Sequence, residues 1–404
     1  MPQALVESEF RSPDGPVSVP PAKRLALAHH WFVMPRGGER VLAQLARMFP
    51  VAPILTSCAK ADLSGWPEEM QALGPRIRTT FLQPLYRLAE TRPALMPLIL
   101  LLMPLAFRLS FRKACDDVEL LLVSDAGLAK SIPPPRAGKT FVYLHSPMRF
   151  VWHEAERHLS RLPAWWRPPA RLAASWIRRQ DLKSVRHVDH WAANSRTTAA
   201  RAAAAYGLAE SQFRIIHPPV PLPAFRESTA QRQGLLVVSG MEPYKRDDLA
   251  IAAATRLGLP LTVVGDGRCR GELERLAGPT VEFLGFVSDA DLDRLYRRKA
   301  ALIFCPEEDF GIVPVEAMAR GCPVLAYGAG GAGETVSEEV GGLFFAEQTV
   351  EAVAEGIRRM LDRRWDEAAL YESVQRFAPE RFDAEIRQWI ELGLDVGHAR
   401  DTGP

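Results

Sequence analysis

Short apolar runs alternate with longer amphipathic segments along most of this sequence. Bounded by glycines, prolines and polar residues, the apolar runs are typical of buried strands. They lie at 24–32, 120–124, 140–144, 191–194, 235–239, 261–264, 301–306 and 322–327. Helical periodicity follows at 39–48, 196–206, 248–257, 289–298, 351–361 and 380–394. Strands that alternate with helices predict parallel sheets covered by helices, so the fold class is α/β.

Length favours two domains. The chain has 404 residues, of which 47% are apolar, and single cores stop growing at about 250–300 residues. A proline-rich crossing at 215–223 and a polar stretch at 226–233 interrupt the pattern and mark a boundary. We predict a disordered tail at 1–22, an N-terminal domain at 23–225, a C-terminal domain at 226–380 and a last helix with a tail at 381–404.

Composition excludes several classes of protein. A net charge of +2 gives no reason to expect nucleic-acid binding, and five widely spaced cysteines fit reduced thiols in the cytoplasm. The first 21 residues lack the basic start and apolar core of a signal peptide. The longest apolar run, 94–107, is shorter than the ~20 residues of a spanning helix and contains Pro97 and Pro104, so we expect no transmembrane segment.

Two segments combine basic and apolar residues. Segment 76–113 carries seven basic residues against one acid, and segment 157–186 places tryptophans among arginines. This combination suits the surface of an anionic membrane. A helix pair packed on the first domain, with a solvated charged face, explains the first segment equally well.

The strongest candidate for a ligand site is segment 301–335. It predicts a strand, a loop turned by Gly311, a short helix that begins at Pro314, a second strand and a glycine-rich loop. Ligands bind to such loops at the carboxyl ends of parallel strands. Glu308 in the loop and Glu316 in the first helical turn could each accept hydrogen bonds from sugar hydroxyls. On local grounds a solvated loop and a favourable helix-dipole contact remain open.

Further candidates lie at predicted strand ends. The pair Gly37 and Gly38 suits close approach to an anionic group. His145 follows the strand 140–144, and Lys245 lies where a lysine can neutralise a diphosphate. Each has an ordinary alternative: a tight turn, a structural histidine and a surface lysine.

Two motifs do not support the function that they suggest. The pattern G-x-G-x-x-x-G at 265–271 has the wrong spacing for dinucleotide binding, and the acid Glu282 arrives too early. The D-x-D pattern at 289–291 is better explained as a helix start capped by Ser288. We therefore expect no bound metal and no cofactor.

The sequence resembles retaining glycosyltransferases of family 4. The sequence EEDFGIVPVEAMARGCPVLAYGAGGAGETV at 307–336 matches their E-x7-E segment, and the sequences YLHSPMRFVW and PYKR match two further loops. The resemblance runs from about Arg24 to the C-terminus and is closest to bacterial mannosyltransferase-like enzymes of lipopolysaccharide and exopolysaccharide synthesis. It implies the GT-B fold, in which two Rossmann-like domains face each other across a cleft and the last helix crosses back.

The resemblance also implies roles for individual residues. The catalytic set would be Glu308 at the donor sugar, Lys245 at the diphosphate and His145 beside the reacting sugar. Glu316 would hold the ribose, and Arg149 would lie on the acceptor side. The remaining donor-binding residues would be Phe310, Gly311, Ile312, Gly265, Gly267, Phe286, Gly37 and Gly38.

There is one departure from the family pattern. Gly240 stands where many members carry an arginine, and the sequence leaves open whether Arg246 replaces it.

The resemblance predicts a metal-independent enzyme, and segments 76–113 and 157–186 predict that it is peripheral on the cytoplasmic face of an anionic inner membrane. It would transfer a hexose, first of all mannose from GDP-mannose, to a lipid-linked or saccharide acceptor. The alternative is a sugar-nucleotide epimerase of the same fold, and a nicotinamide oxidoreductase is a remoter one. Only a transferase needs an acceptor. The sugar itself stays open because pocket shape, and no motif, reads hydroxyl stereochemistry.

Overall fold

The computed structural model describes residues 24–227 and 231–395. Its strands are β1 (Leu25–His29), β2 (Ile54–Thr56), β3 (Ile77–Thr79), β4 (Leu120–Asp125), β5 (Lys139–Leu144), β6 (His190–Ala193), β7 (Phe213–Ile215), β8 (Leu235–Val238), β9 (Leu261–Val264), β10 (Val281–Gly285), β11 (Ala301–Phe304), β12 (Val324–Tyr327) and β13 (Gly342–Phe345). Its α-helices are α1 (Gly37–Met48), α2 (Glu68–Gln71), α3 (Gln83–Thr91), α4 (Met96–Asp116), α5 (Ala155–Ser160), α6 (Arg167–Val185), α7 (Arg196–Tyr206), α8 (Asp247–Leu257), α9 (Arg270–Leu276), α10 (Asp289–Arg298), α11 (Ile312–Met318), α12 (Ala332–Thr335), α13 (Val350–Asp362), α14 (Glu367–Ser373) and α15 (Pro379–Asp395).

The strands form two separate parallel sheets. The first has the order β3-β2-β1-β4-β5-β6-β7 and the second the order β10-β9-β8-β11-β12-β13. In each sheet the strand order reverses beside the strand that comes first in the chain, β1 or β8. Such switch points open a crevice at the carboxyl ends of the strands. The predicted α/β class is confirmed, with two doubly wound sheets.

Local sequence signals placed two helix starts correctly. The hydroxyl of Ser195 accepts a hydrogen bond from Thr198 N at 2.9 Å and caps α7, which Gly207 ends in the left-handed conformation at φ +69°. Ser288 caps α10 in the same way, through Asp291 N at 3.1 Å. A side-chain oxygen there satisfies an N–H group that has no partner within the helix.

The boundaries of α11 differ from the prediction. Gly311 adopts φ +92° and turns the chain, so the helix begins at Ile312 and not at Pro314. Glu316 is therefore the fifth helical residue and lies in the second turn. The helix ends at Met318, and Gly321, at φ +69°, redirects the chain towards β12.

The apolar helix α4 continues through both of its prolines. Pro97 lies in the first turn, where its missing N–H is harmless, and Pro104 lies inside the helix. Within the described residues, Pro93–Asp116 is long and apolar enough to cross a membrane, a test that core helices also pass. One face of α4, including Phe107, is buried against the first sheet. Our expectation of no transmembrane segment stays a prediction.

The last helix, α15, leaves the second sheet and packs on the first. Phe382, Ile386 and Trp389 are buried there with residues of β1, β4 and β5. The ring of Trp389 meets that of Phe141 edge-on at 5.1 Å between centroids. The domain bounds that we drew at 22, 225 and 380 stay predictions, and the predicted disordered tail at 1–22 lies outside the described residues.

Candidate active site

Glu308 lies at the centre of a charged cluster between the two sheets. It follows β11 at the carboxyl edge of the second sheet, where its Oε1 accepts a hydrogen bond from Lys245. Its Oε2 accepts one from Arg149 Nη2 of the first domain at 2.8 Å. Only 13% of the side chain is exposed. The alternative of an ordinary solvated loop is therefore wrong for Glu308.

The cluster fixes the charge state of its members. Burial alone would raise the pKa of Glu308, but the charges of Lys245 and Arg149 and their hydrogen bonds outweigh it and hold the pKa well below its usual value. Burial lowers the pKa of Lys245, and the nearby carboxylate more than compensates and raises it. All three side chains are therefore charged at neutral pH.

Tyr244 holds the two cations in place. The Cζ atom of Arg149 lies 4.9 Å from the centroid of the tyrosine ring, and the Nζ atom of Lys245 lies 5.3 Å from it. Aromatic faces attract cations at such distances. Sequence reasoning put Arg149 on the acceptor side, and the structure places its guanidinium on Glu308.

Asp309 was missed by sequence reasoning. Its carboxylate accepts hydrogen bonds from Arg149 Nε at 2.9 Å and from Arg201 at 2.5 Å, and its carbonyl oxygen accepts one from the Ser195 hydroxyl. Only its place in an acidic run next to Glu308 could have indicated this. The loop after β11 is thereby tied to α7 of the first domain.

Glu316 also faces the first domain. Its Oε1 lies 3.3 Å from Arg40 Nη1, and the hydroxyl of Tyr296 donates to its Oε2 at 3.2 Å. Burial raises the pKa of this carboxyl despite the nearby arginine. The two glutamates thus face one cleft and contact different arginines across it. Neither Arg40 nor Tyr296 carries a sequence signal for this role.

Arg246 does not replace the arginine that is absent at Gly240. Its guanidinium pairs with Asp248 at 3.1 Å and contacts Gln348, away from Glu308. The second cation beside Lys245 comes instead from Arg149, across the cleft.

His145 belongs to a chain of buried polar groups. Its Nε2 lies 2.8 Å from the Ser124 hydroxyl, which lies 3.2 Å from Nδ1 of His29. Nε2 of His29 is 3.8 Å from Glu39. Burial lowers the pKa of His145 to about 3, so the ring is neutral at physiological pH. Sequence reasoning missed Ser124, His29 and Glu39, which lie on three separate elements.

The glycine pair lets the domains touch. A Cβ atom on Gly37 would lie 2.8 Å from Cδ1 of Ile312, and one on Gly38 would lie 3.5 Å from the ring of His29. Helix α1 begins at Gly37, earlier than predicted. Gly37, Gly38 and Ile312 therefore meet in the cleft, beside His145.

The glycines of the loop after β9 are required by packing. Gly265 has φ +111°, and a Cβ there would lie 1.9 Å from the carbonyl oxygen of Ser239. A Cβ on Gly267 would lie 2.1 Å from that of Gly240. Two strand-end loops therefore lie in direct backbone contact. This contact leaves no room for a side chain at either position, so packing alone explains both glycines.

The last two aromatic candidates differ in exposure. Phe310 is 3% exposed and packs against His217 and Phe377, so it fixes the backbone before Gly311. Phe286 follows the edge strand β10 and is 82% exposed. Its ring is open to contact from solvent, while the ring of Phe310 is not.

A carboxylate of the second domain also completes α7. The Oε atoms of Glu334 accept hydrogen bonds from the backbone N–H groups of Arg196 and Thr197, both at 2.8 Å. Negative charge is favourable at a helix N-terminus. Together with the contacts of Glu308, Asp309 and Glu316, this contact closes the cleft in the structure.

Comparison with known proteins gives the same fold. Residues 225–380 match the family described as Glycosyl transferases group 1. A crystal structure of Anabaena Alr3699/HepE in complex with UDP and glucose superposes on 93% of this chain and 100% of that one, with a TM-score of 0.65 and 19% identity. The chain has the GT-B fold, with two Rossmann-like domains, as the resemblance implied.

Similarity to curated proteins covers part of the chain. An uncharacterized glycosyltransferase of Methanocaldococcus jannaschii, MJ1607, is 37% identical over 108 residues, 25% of this chain and 27% of the relative. The D-inositol 3-phosphate glycosyltransferase of Mycobacterium bovis is 29% identical over 201 residues, 44% of this chain and 42% of the relative. The matches thus span less than half the length of either relative.

Proposed function

We propose that this protein is a retaining glycosyltransferase that moves a hexose from a nucleotide-sugar to a lipid-linked or saccharide acceptor. The matching family and both curated relatives are glycosyltransferases by their descriptions. The solved relative from Anabaena was crystallised with UDP and glucose, which supports a nucleotide-sugar donor.

The observation that carries the proposal is the meeting of Lys245 and Arg149 on Glu308. Lys245 and Glu308 lie at the carboxyl edge of the second doubly wound sheet, and Arg149 of the first domain reaches Glu308 across the cleft. A second carboxylate, Glu316, faces the same cleft. This arrangement offers positive charge to a diphosphate and hydrogen-bond acceptors to sugar and ribose hydroxyls.

The charge states define what each group does. Glu308 stays ionised, so it acts by charge and hydrogen bonding and does not donate a proton. Lys245 and Arg149 stabilise the negative charge that develops on the departing diphosphate. His145, neutral and held by Ser124, offers a fixed hydrogen bond beside the sugar.

GDP-mannose is the first donor to test, on the resemblance to mannosyltransferase-like enzymes. UDP-sugars come next because of the UDP and glucose in the Anabaena structure. The reaction needs no metal in this proposal, since two protein cations face the diphosphate position. Asp291 instead pairs with Arg294 beside the Ser288 cap.

The experiment is a thermal-shift panel of GDP-, UDP- and dTDP-sugars, followed by transfer assays. A ligand that binds only the folded state raises its unfolding temperature. Product that forms only when a sugar or lipid-linked acceptor is present supports a transferase. Conversion of the donor without acceptor supports the epimerase, and binding of no nucleotide-sugar would contradict both.

We also propose that the first domain rests on the cytoplasmic face of an anionic membrane. Exposed apolar side chains mark the outer faces of α4 and α6 and the turn before α6; they are Leu98, Leu105, Leu109, Trp165, Trp166, Leu172, Trp176 and Leu182. Arg76 does not belong to this surface. It donates to the carbonyl groups of Ala46, Phe49 and Ala52 behind α1.

A further inference from the structure

A pocket of about 340 Å³ opens between the C-terminal halves of α4 and α6. Its lining includes Arg108, Arg112, His187 and Ser131 and contains no Asp or Glu. Leu109, 66% exposed, stands at its edge. The lining is thus basic, with an exposed leucine between its two arginines.

Three of the polar side chains that line the pocket, Arg108, Arg112 and Ser131, have no partner within the described residues, while the hydroxyl of Ser184 donates to the carbonyl oxygen of Asp181 at 2.6 Å. Among the described residues, neither Arg108 nor Arg112 forms a hydrogen bond or an ion pair. Ser131 is 4% exposed, and its buried hydroxyl has no hydrogen-bond partner. The neighbouring Pro133 and Pro134 offer no N–H group to it. Buried hydroxyls in native proteins normally have partners, so this one points to a missing acceptor.

We propose that this pocket binds the phosphate of an anionic phospholipid headgroup. Two guanidinium groups and a hydroxyl are donors of the kind that phosphate oxygens accept. Leu109 and the neighbouring exposed leucines of α4 and α6 would enter the acyl boundary beside the headgroup. The inference rests on the proposed membrane location and not on glycosyl transfer.

The pocket is separate from the candidate active site. Helices that join parallel strands run antiparallel to them, so the C-terminal halves of α4 and α6 lie towards the amino edge of the first sheet. Glu308 and its partners lie at the carboxyl edges. Headgroup binding would therefore orient the enzyme without contact with the donor.

The test is cosedimentation of the full chain with vesicles of phosphatidylcholine alone or mixed with phosphatidylglycerol. The pocket variant is Arg108→Gln with Arg112→Gln. Its matched control is Arg179→Gln with Lys183→Gln, which removes the same charge from exposed residues of α6 outside the pocket. We expect the pocket variant to bind the anionic vesicles about tenfold more weakly and the control about threefold or less.

An equal loss of vesicle binding in the two variants would mean that binding depends on diffuse electrostatic attraction. It would contradict the pocket as the phosphate site. So would full retention of binding by the pocket variant, even if that variant no longer bound inorganic phosphate in calorimetry, because the site would then take a free anion. If the wild-type protein does not bind anionic vesicles, the proposed membrane location is wrong as well. Glycosyl transfer to a soluble acceptor can still be measured separately.

A smaller change tests the hydroxyl group in the lining of the pocket. Ser131→Ala should weaken binding to anionic vesicles about threefold to tenfold, since it removes one donor to a charged acceptor. It should not lower the unfolding temperature, because the hydroxyl has no partner to lose. Unchanged vesicle binding by this variant would contradict the assigned donor.

Discussion

Glu308→Gln is the sharpest test of the candidate active site. Glutamine keeps the shape of the side chain and one acceptor oxygen, but it removes the charge and turns an N–H₂ group towards either Lys245 or Arg149. Both of these groups are donors only. The substitution therefore loses one charge-assisted hydrogen bond and leaves one cation facing an N–H donor. The Glu308 side chain is only 13% exposed, so water compensates little.

The size of the effect follows from this geometry. Breaking a buried ion pair by removing one partner costs about 3–5 kcal/mol. Some exposure and the freedom of the cleft to open reduce this, so we expect about 2–3 kcal/mol in unfolding free energy, the range of hydrogen bonds to charged groups. For domains of this size the unfolding temperature should fall by roughly 5–10 °C.

The fall in kcat should be larger than the loss of stability alone would cause. Loss of one preorganised electrostatic contact to the breaking bond costs on the order of 10²-fold in kcat. The assay is steady-state transfer at saturating donor, with donor affinity measured separately by calorimetry. Glu307→Gln is the matched control, since Glu307 is 51% exposed and, within the part of the chain that the structure describes, pairs only with Arg201. It should change kcat by less than about twofold.

The reasoning is refuted if Glu308→Gln stays folded and keeps near-wild-type kcat and kcat/KM. Equal losses of kcat in the Glu308 and Glu307 variants would also contradict it, because kcat would then depend on the total negative charge of the loop and not on Glu308 itself.

Four further predictions concern other charged residues. Glu316→Gln should mainly raise the KM for the donor, as loss of a contact made equally in ground and transition states does. Arg40→Gln should tighten nucleotide binding up to about fivefold, because it frees Glu316 from a half-exposed pair; weaker binding in calorimetry would show that Arg40 itself holds the nucleotide. Transfer should survive a chelator, and Asp289→Asn with Asp291→Asn should lower thermal stability more than activity; turnover that is lost in chelator and restored by manganese or magnesium would reverse this. Burial raises the pKa of Asp247 from 3.8 to about 6, so the folded state holds the proton more tightly and loses stability as pH rises through that window. Asp247→Asn should therefore gain roughly 2.5 kcal/mol of unfolding free energy relative to wild type between pH 4 and pH 7 in denaturant titrations, and a constant difference would argue against a buried charge.

Sequence reasoning succeeded where the signal was local. The cap of α7 by Ser195 and that of α10 by Ser288 depend on neighbours three residues away. The loop that carries Glu308 was predicted from a strand end and a glycine, and the resemblance to family 4 gave Glu308 its expected role. The start of α11 was misplaced because Pro314 also fits the third helical position, and only the conformation of Gly311 decides.

The partners of the site could not be predicted in this way. Arg149 lies 159 positions from Glu308, and Arg40 lies 276 positions from Glu316. No periodicity connects residues of two domains, since closure of the cleft decides which arginine meets which carboxylate. Arg76 shows the reverse error. Its charge suggested a membrane-facing surface, while its partly buried guanidinium donates to carbonyl groups at and after the end of α1.

The return of α15 to the first sheet has a consequence for biosynthesis. The ring of Trp389 covers that of Phe141, so the first domain lacks part of its core until nearly the whole described chain has left the ribosome. The strands of the second sheet, by contrast, pair within residues 235–345. Contacts between positions so far apart close slowly. The domain made first should therefore finish folding last, and a chain that stops at Ala378 should keep its second sheet resistant to protease while the first is digested.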